Sequence, residues 1–265
     1  MSNIIEDSSK IIPEIYGDGL KPAVQSAGGI LQLIPRAIRA AMLPFEKWIR
    51  TREYNMKEVE RLLAAKLEGI SPDEIVPPEP HIAIPALDAL SYSMDSEQLR
   101  EMYANLLARA MTSSSKDLVH PGFVDTIKQM TPLDASNMKY IDSSHALAKL
   151  RLFLFYGGYV ERFPNIFYAN PENSDYATQA TSISNLSRLG LLTISYENSL
   201  VKEKFYAPFD SFEMYQKLIF EAPPPEVVAK YTSPSDDGRF IRVEMVRGYC
   251  TITPFGEDFR KVCIL

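Results

Sequence analysis

The chain has 265 residues, of which 46% are hydrophobic and 23% are charged. These values are typical of a globular protein with one or two domains and a substantial buried core. The net charge of −6 excludes general polyanion binding by the chain as a whole. Cys250 and Cys263 are too few for a disulfide framework and have no metal-ligand spacing, so we expect a reducing compartment.

The first residues of the chain indicate no secretory signal, because they are acidic and polar where a cationic start is needed. Residues 1–20 predict a mobile leader. The longest uncharged, apolar-leaning run covers 22–35, which is shorter than the ~20 residues of a membrane-spanning helix. We therefore expect a soluble cytoplasmic protein, or one that lies on the inner face of the membrane.

Residues 21–75 predict amphipathic helices, because apolar residues recur there at spacings of three and four between basic residues. In one interpretation the apolar stripe enters the lipid boundary while the basic side chains meet anionic head groups. In the other, which we favour, the stripe packs on its own domain or on a second copy. Under either interpretation, the predicted membrane- or partner-binding residues are Ile34, Arg36, Ile38, Arg39, Trp48 and Arg50.

Residues 76–142 predict a helical core. The proline-rich stretch 76–85 indicates an extended connector, and Ser96–Met111 has the apolar period of a helix. Thr131, Pro132 and Asp134 have the spacing of a helix cap, so another helix is expected to follow them.

His120 and Pro121 lie between two of these predicted helices. A catalytic His120 would act as a general base oriented by Asp117 or Asp125, but the sequence has no nucleophile elbow to serve it. The chain's three histidines, which also include His81 and His145, have no metal-ligand spacing. We predict a structural hinge at His120–Pro121 and no catalytic residue, metal site or cofactor.

Residues 143–265 predict a winged-helix-like module. A helix ending at Gly190 precedes an alternating strand, a long excursion over 197–238, two strands that meet at a turn at Arg247–Gly248, and a last helix. The expected fold class is therefore mainly α with a C-terminal α+β winged-helix-like module. Such a module packs on protein or binds nucleic acid, and we favour packing on protein. For nucleic acid the candidate residues are Arg188, Arg239, Arg242 and Arg247.

Two stretches of the middle third resemble the abortive infection alpha family of bacteria and their mobile elements. They are "ALDALSYSMDSEQLREMYANLLARAM", at 86–111, and "VHPGFVDTIKQMTPLDA", at 119–135. Both stretches carry family motifs, namely Leu-Arg-x-Met-aromatic-Ala-x-Leu-Leu in the first, then His-Pro-x-Phe-Val and a Ser/Thr-Pro-x-Asp/Glu cap in the second. The ending "TITPFGEDFRKVC", at 251–263, is also similar to the family's.

The resemblance implies an association with phage defence and supplies no catalytic residue. We therefore expect a non-catalytic protein that contacts a protein partner or a second copy of itself. The alternatives are a toxic effector that reaches the membrane through its basic N-terminal helices, and a DNA-binding winged-helix regulator.

The membrane interpretation predicts that the wild-type protein floats with anionic liposomes in a density gradient. The double substitution Ile34→Glu/Ile38→Glu should prevent flotation, because it places two carboxylates on the face that would enter the lipid. Neutral liposomes serve as the control for the electrostatic contribution. If neither protein floats, the membrane interpretation is wrong.

Overall fold

The computed structural model of the chain describes Ala40 and residues 56–93, 96–231 and 239–265. The predicted leader at 1–20 lies outside the described residues, and so do the predicted binding residues Ile34, Arg36, Ile38, Arg39, Trp48 and Arg50. The described chain divides into two compact units. The first comprises the residues up to Gln129 together with Asp258–Leu265, and the second comprises Met130–Glu257.

The first unit is helical. Its elements are α1 (Met56–Lys66), α2 (Pro80–Tyr92), α3 (Glu97–Ala110), α4 (Gly122–Lys128) and the last residues of α9 (Pro254–Cys263). The apolar period predicted for α3 is confirmed, since Met102, Tyr103, Leu106 and Ala110 are buried. The phenyl rings of Phe123 and Phe259 meet edge to face at 5.4 Å, which joins α4 to α9.

The extended connector predicted over 76–85 is wrong in its second half, because α2 begins at Pro80 and continues through Pro85. Pro80 suits the first turn of a helix, whereas Pro85 removes one backbone hydrogen bond. The buried face of α2, which includes Leu87 and Leu90, contributes enough apolar burial to outweigh that loss.

The second unit is built on a four-stranded antiparallel sheet of order β2-β1-β4-β3. The strands are β1 (Ser144–Leu154), β2 (Tyr159–Ile166), β3 (Leu192–Ser195) and β4 (Phe240–Ile252). The helices of the unit are α5 (Pro132–Tyr140), α6 (Tyr176–Arg188), α7 (Glu213–Glu221), α8 (Pro225–Val228) and the start of α9.

The predicted fold class, mainly α with a winged-helix-like module, is wrong. Residues 144–166 form the β1–β2 hairpin, which the aromatic-rich sequence did not reveal, and β4 is one continuous strand of 13 residues. The strand β4 pairs with β1 from Ser144–Thr251 to Leu154–Phe240, so the turn and the wing predicted at Arg247–Gly248 do not exist.

Gly248 occurs inside β4 because another chain segment approaches it closely. A Cβ atom at Gly248 would clash with the carbonyl oxygen of Ser195 and with the ring of Tyr196. The Tyr196 hydroxyl accepts a hydrogen bond from the Asn165 N–H at 2.9 Å, which anchors that ring on the sheet. Gly248 therefore does not form the turn that the sequence indicated; its missing side chain allows the segment at 195–196 to pack closely against β4.

The described part of the long excursion between β3 and β4 forms regular structure. Short 3₁₀ turns at Glu203–Phe205 and Ala207–Ser211 lead into α7. Tyr206, Phe209, Phe212 and Leu218 are buried and pack with residues of the sheet in one core cluster. The Tyr206 hydroxyl donates to the Gly248 carbonyl oxygen at 2.7 Å. Apolar burial and this hydrogen bond hold the excursion on the sheet.

The cap predicted for α5 is confirmed. The Thr131 hydroxyl accepts a hydrogen bond from the Asp134 N–H at 3.2 Å, and the Asp134 carboxylate accepts one from the Thr131 N–H at 2.7 Å. This reciprocal pair satisfies two backbone donors that a helix start otherwise leaves unbonded.

Substituting Thr131 by Ala should lower the free energy of unfolding by about 1 kcal/mol, because the Asp134 N–H loses its acceptor. Urea denaturation followed by circular dichroism measures the change. Thr131→Ser should retain most of the stability. Thr181→Ala is the matched control, since Thr181 is exposed inside α6 and alanine has the higher helix propensity. Equal stability of Thr131→Ala and wild type would contradict the role of this cap.

Candidate interaction surface and histidine cleft

Exposed apolar side chains concentrate in the excursion between β3 and β4. Of the ten large apolar side chains that are exposed among the described residues, five lie in this stretch, which we call the apolar segment (201–227). Its exposed members are Val201, Phe205, Ile219, Phe220 and Val227. Val201 is 98% exposed and Phe220 is 91% exposed. Ile219 and Phe220 are neighbours on α7, and exposed apolar side chains that lie together are typical of a surface that contacts another molecule.

The exposure of Phe220 follows from how α7 is oriented. Leu218 is buried, and the partly buried Met214 packs in the same core cluster, so these two residues define the inner side of the helix. Ile219 and Phe220 lie outside that side, next to an ion pair between Lys217 and Glu221 at 3.9 Å. The helix therefore presents two large apolar side chains on a rigid support.

A separate cleft of the second unit has a volume of about 350 Å³ and contains a histidine. Its walls include His145 and Ser144 from the start of β1, Tyr168 from the chain after β2, and Lys204 and Phe205 from a 3₁₀ turn. Aromatic walls with two nitrogen-bearing side chains can bind a small polar or aromatic group. Because Phe205 also belongs to the apolar segment, the cleft and that segment share a residue.

His145 is oriented by Asp142. Its Nε2 lies 3.3 Å from Asp142 Oδ1, and the Ser143 hydroxyl donates to the same oxygen at 3.0 Å. The hydrogen bonds from Ser143 and then from His145 hold the pKa of Asp142 below its usual range. From the sequence we predicted only that His145 has no metal-ligand spacing. The spacing Asp-x-x-His was the signal that could have found the pair.

The two serine hydroxyls next to His145 have other partners. Ser143 bonds to Asp142, and the Ser144 hydroxyl pairs with the Thr251 hydroxyl at 2.8 Å. A serine nucleophile needs its hydroxyl bonded to the histidine base. The arrangement is therefore better suited to binding than to acyl transfer.

The predicted hinge residues lie in the first unit. His120 is exposed, and its Nδ1 accepts a hydrogen bond from the Gly122 N–H at 3.0 Å. Pro121 caps α4. Asp125, one of the two carboxylates predicted as alternatives to orient a catalytic His120, forms an ion pair with Lys128 at 3.6 Å. The hinge role of His120 and Pro121 stays a prediction.

The four arginines predicted to contact nucleic acid have local contacts. Arg242 and Arg247 are five residues apart on β4, so they lie on opposite faces of the sheet. Local contacts join Arg188 to Asn185, Arg239 to the Tyr231 ring, Arg242 to Glu244 and Phe153, and Arg247 to Glu203. The strand β4 thus does not provide the single basic face that counterion release requires.

The two cysteines are poor nucleophiles. Both are buried, and burial raises the pKa of Cys250 to about 12 and also raises the pKa of Cys263. In the described ranges, no group of three or more His, Cys, Asp and Glu side chains could hold a metal ion. No helix within the same ranges has the length and apolar character to cross a membrane.

Comparison with known proteins supports one assignment. No curated protein matches the chain. A solved structure that matches is that of an uncharacterized protein from the hydrocarbon-degrading marine bacterium Alcanivorax borkumensis SK2, at 15% identity over 57% of this chain and 94% of that one. Its TM-score of 0.32 is too low to support an argument. The family model for abortive infection alpha matches residues 51–263. Because that match covers most of the sequence, the chain belongs to the abortive infection alpha family, which confirms the resemblance of its motifs.

Proposed function

We propose that this chain acts in abortive infection by binding a protein, either a partner or a second copy of itself, through the apolar segment (201–227). Family membership supports a role related to abortive infection. The observation that carries the finer proposal is the 91% exposure of Phe220 on a helix whose other side is packed on the sheet. Aromatic side chains of this kind are enriched among the residues that dominate binding energy at interfaces.

The energetics of the apolar segment favour a contact. Burying one Phe side chain contributes about 1.5–3 kcal/mol, and α7 is already ordered by its packing, so little conformational entropy is lost on binding. The Gln216 side chain donates to the Asp210 carbonyl oxygen at 2.6 Å and ties α7 to the preceding 3₁₀ turn. A rigid helix with exposed apolar side chains can bind without first folding.

We also propose that the protein has no catalytic activity of its own. The serine hydroxyls beside His145 are bonded to Asp142 and Thr251, and burial disfavours both thiolates. The alternative of a membrane-associating effector rests on residues outside the described ranges, so it stays a prediction from the sequence.

Phe220→Asp should abolish protection in a phage-challenge assay, because a carboxylate cannot enter an apolar contact. Loss of a dominant aromatic side chain costs about 2 kcal/mol, or roughly 30-fold in Kd. Efficiency of plating measures the protection. Light scattering at matched concentrations shows whether the wild-type protein self-associates and whether the variant does so less.

The matched control is Leu118→Asp, which changes an apolar side chain that is 55% exposed in the first unit. The free energy of unfolding of each variant should lie within about 0.5 kcal/mol of the wild-type value, because neither residue is buried. Protection by Phe220→Asp at the wild-type level would contradict the proposal, as would an equal loss in the control.

His145→Gln and His120→Gln should both retain protection, because binding through the apolar segment needs neither imidazole. An enzyme with His145 as its general base would lose about 10²–10⁴-fold in rate. Plating efficiency is measured together with the melting temperature, so that loss of folding is recognised. Loss of protection by a fully folded His145→Gln would show that the non-catalytic proposal is wrong.

A further inference from the structure

A second cleft in the second unit lies between the start of α5 and one side of α6, outside the apolar segment. Its volume is about 660 Å³. Its walls are residues 131–134 of the α5 cap and first turn, residues 177–185 of α6 in part, and Asn173 from the preceding loop. Thr178 and Thr181 are exposed, whereas Ser182 and Asp134 are buried, so the lining extends from solvent to the interior.

Asp134 has an unsatisfied oxygen. The residue has no exposed surface, and its Oδ2 accepts hydrogen bonds from the Thr131 N–H at 2.7 Å and from Asn185 Nδ2 at 2.9 Å. Its Oδ1 is buried without a hydrogen-bond donor. A buried acceptor in that state costs about 1–3 kcal/mol, and native proteins rarely leave one unpaired.

The cleft has a negative character. Asp134 is the one charged residue among those that line it, and the others carry hydroxyl, amide or apolar side chains. The lining contains no lysine or arginine, so it offers an anion no cationic side chain. A cation with an N–H group offers both the donor that Oδ1 lacks and a compensating charge.

We propose that this cleft binds a small organic cation, of the ammonium or amidinium class, which donates a hydrogen bond to Asp134 Oδ1. The hydroxyl-bearing and amide-bearing residues of the wall, among them Thr178 and Asn173, accept the remaining donors of the ligand. Because Oδ1 is covered, binding requires side chains that cover it to move aside. The site is independent of the proposed protein contact.

Benzamidinium and its neutral isostere benzamide are suitable probes, since they share a shape and differ in charge. Calorimetric titration of the full chain should show saturable benzamidinium binding with a Kd of about 1 mM, as expected for a ligand of this size. Benzamide should bind at least about tenfold more weakly. If a buried water molecule were all that satisfies Oδ1, benzamidinium would not bind, and the proposal would be overturned.

Two variants locate the binding. Asp134→Asn keeps an acceptor for the Thr131 N–H and removes the charge, so benzamidinium affinity should fall by about tenfold or more. Thr181→Trp should obstruct the cleft beside Asp134 and weaken binding, whereas Thr193→Trp on the exposed edge of β3 is the control and should bind as wild type does.

If Asp134→Asn fails to fold, Thr181→Trp decides the question, because its site is on the surface. Unchanged benzamidinium binding by Thr181→Trp, or equal affinity for the two probes, would overturn the proposal. Since the apolar segment is untouched by these variants, failure here leaves the protein-contact proposal standing.

Discussion

The pairing of β1 with β4 is the constraint on which the second unit depends. These strands are about 90 residues apart in sequence, yet they pair over their whole length, from Ser144–Thr251 to Leu154–Phe240. Each holds an edge strand on its other side, β2 on β1 and β3 on β4. Since the entropy of closing a loop grows slowly with loop length, the long intervening segment adds little cost to this pairing.

The same pairing explains why the excursion after β3 displays an apolar surface. Side chains of β1 and β4 that point to one face, such as Leu150 and Met245, pack with Tyr206, Phe209 and Phe212. The excursion is thereby fixed on the sheet, and α7 is held with Leu218 inward and Phe220 outward. A helix that packs on the sheet with one side leaves its opposite side exposed, so apolar residues on that opposite side remain at the surface.

Between α5 and α6 the second unit uses polar contacts in its interior. Asn137 donates to both Gln179 and Ser182, at 2.9 and 2.8 Å, and it accepts from Asn170 at 2.7 Å. These side chains are buried, so each hydrogen bond avoids a desolvation penalty and is possible only in one register of the two helices. Asp134 Oδ1 differs from this satisfied network because it has no hydrogen-bond donor. For that reason we propose a ligand in the adjoining cleft.

Local signals in the sequence determined the features that depend on nearby residues. The α3 period, the Thr131–Asp134 cap and the family motifs were all predicted, because a helical face and a helix cap are decided within a few positions. Family membership followed from the same stretches.

Features decided by residues distant in the chain were missed or predicted wrongly. The sequence of 144–166 does not indicate a hairpin, because its strands are stabilised by pairing within the whole sheet, which includes the distant β4. Gly248 indicates a turn in the sequence, whereas in the structure it makes room for the ring of Tyr196. Likewise Phe220 is one of 13 phenylalanines in the sequence, and only the burial of Leu218 and its neighbours leaves it exposed. The sequence by itself determined the local helices, the cap and the family. Only the tertiary structure decided the sheet, the exposed apolar segment and the two clefts, because these arise from contacts between residues that are far apart along the chain.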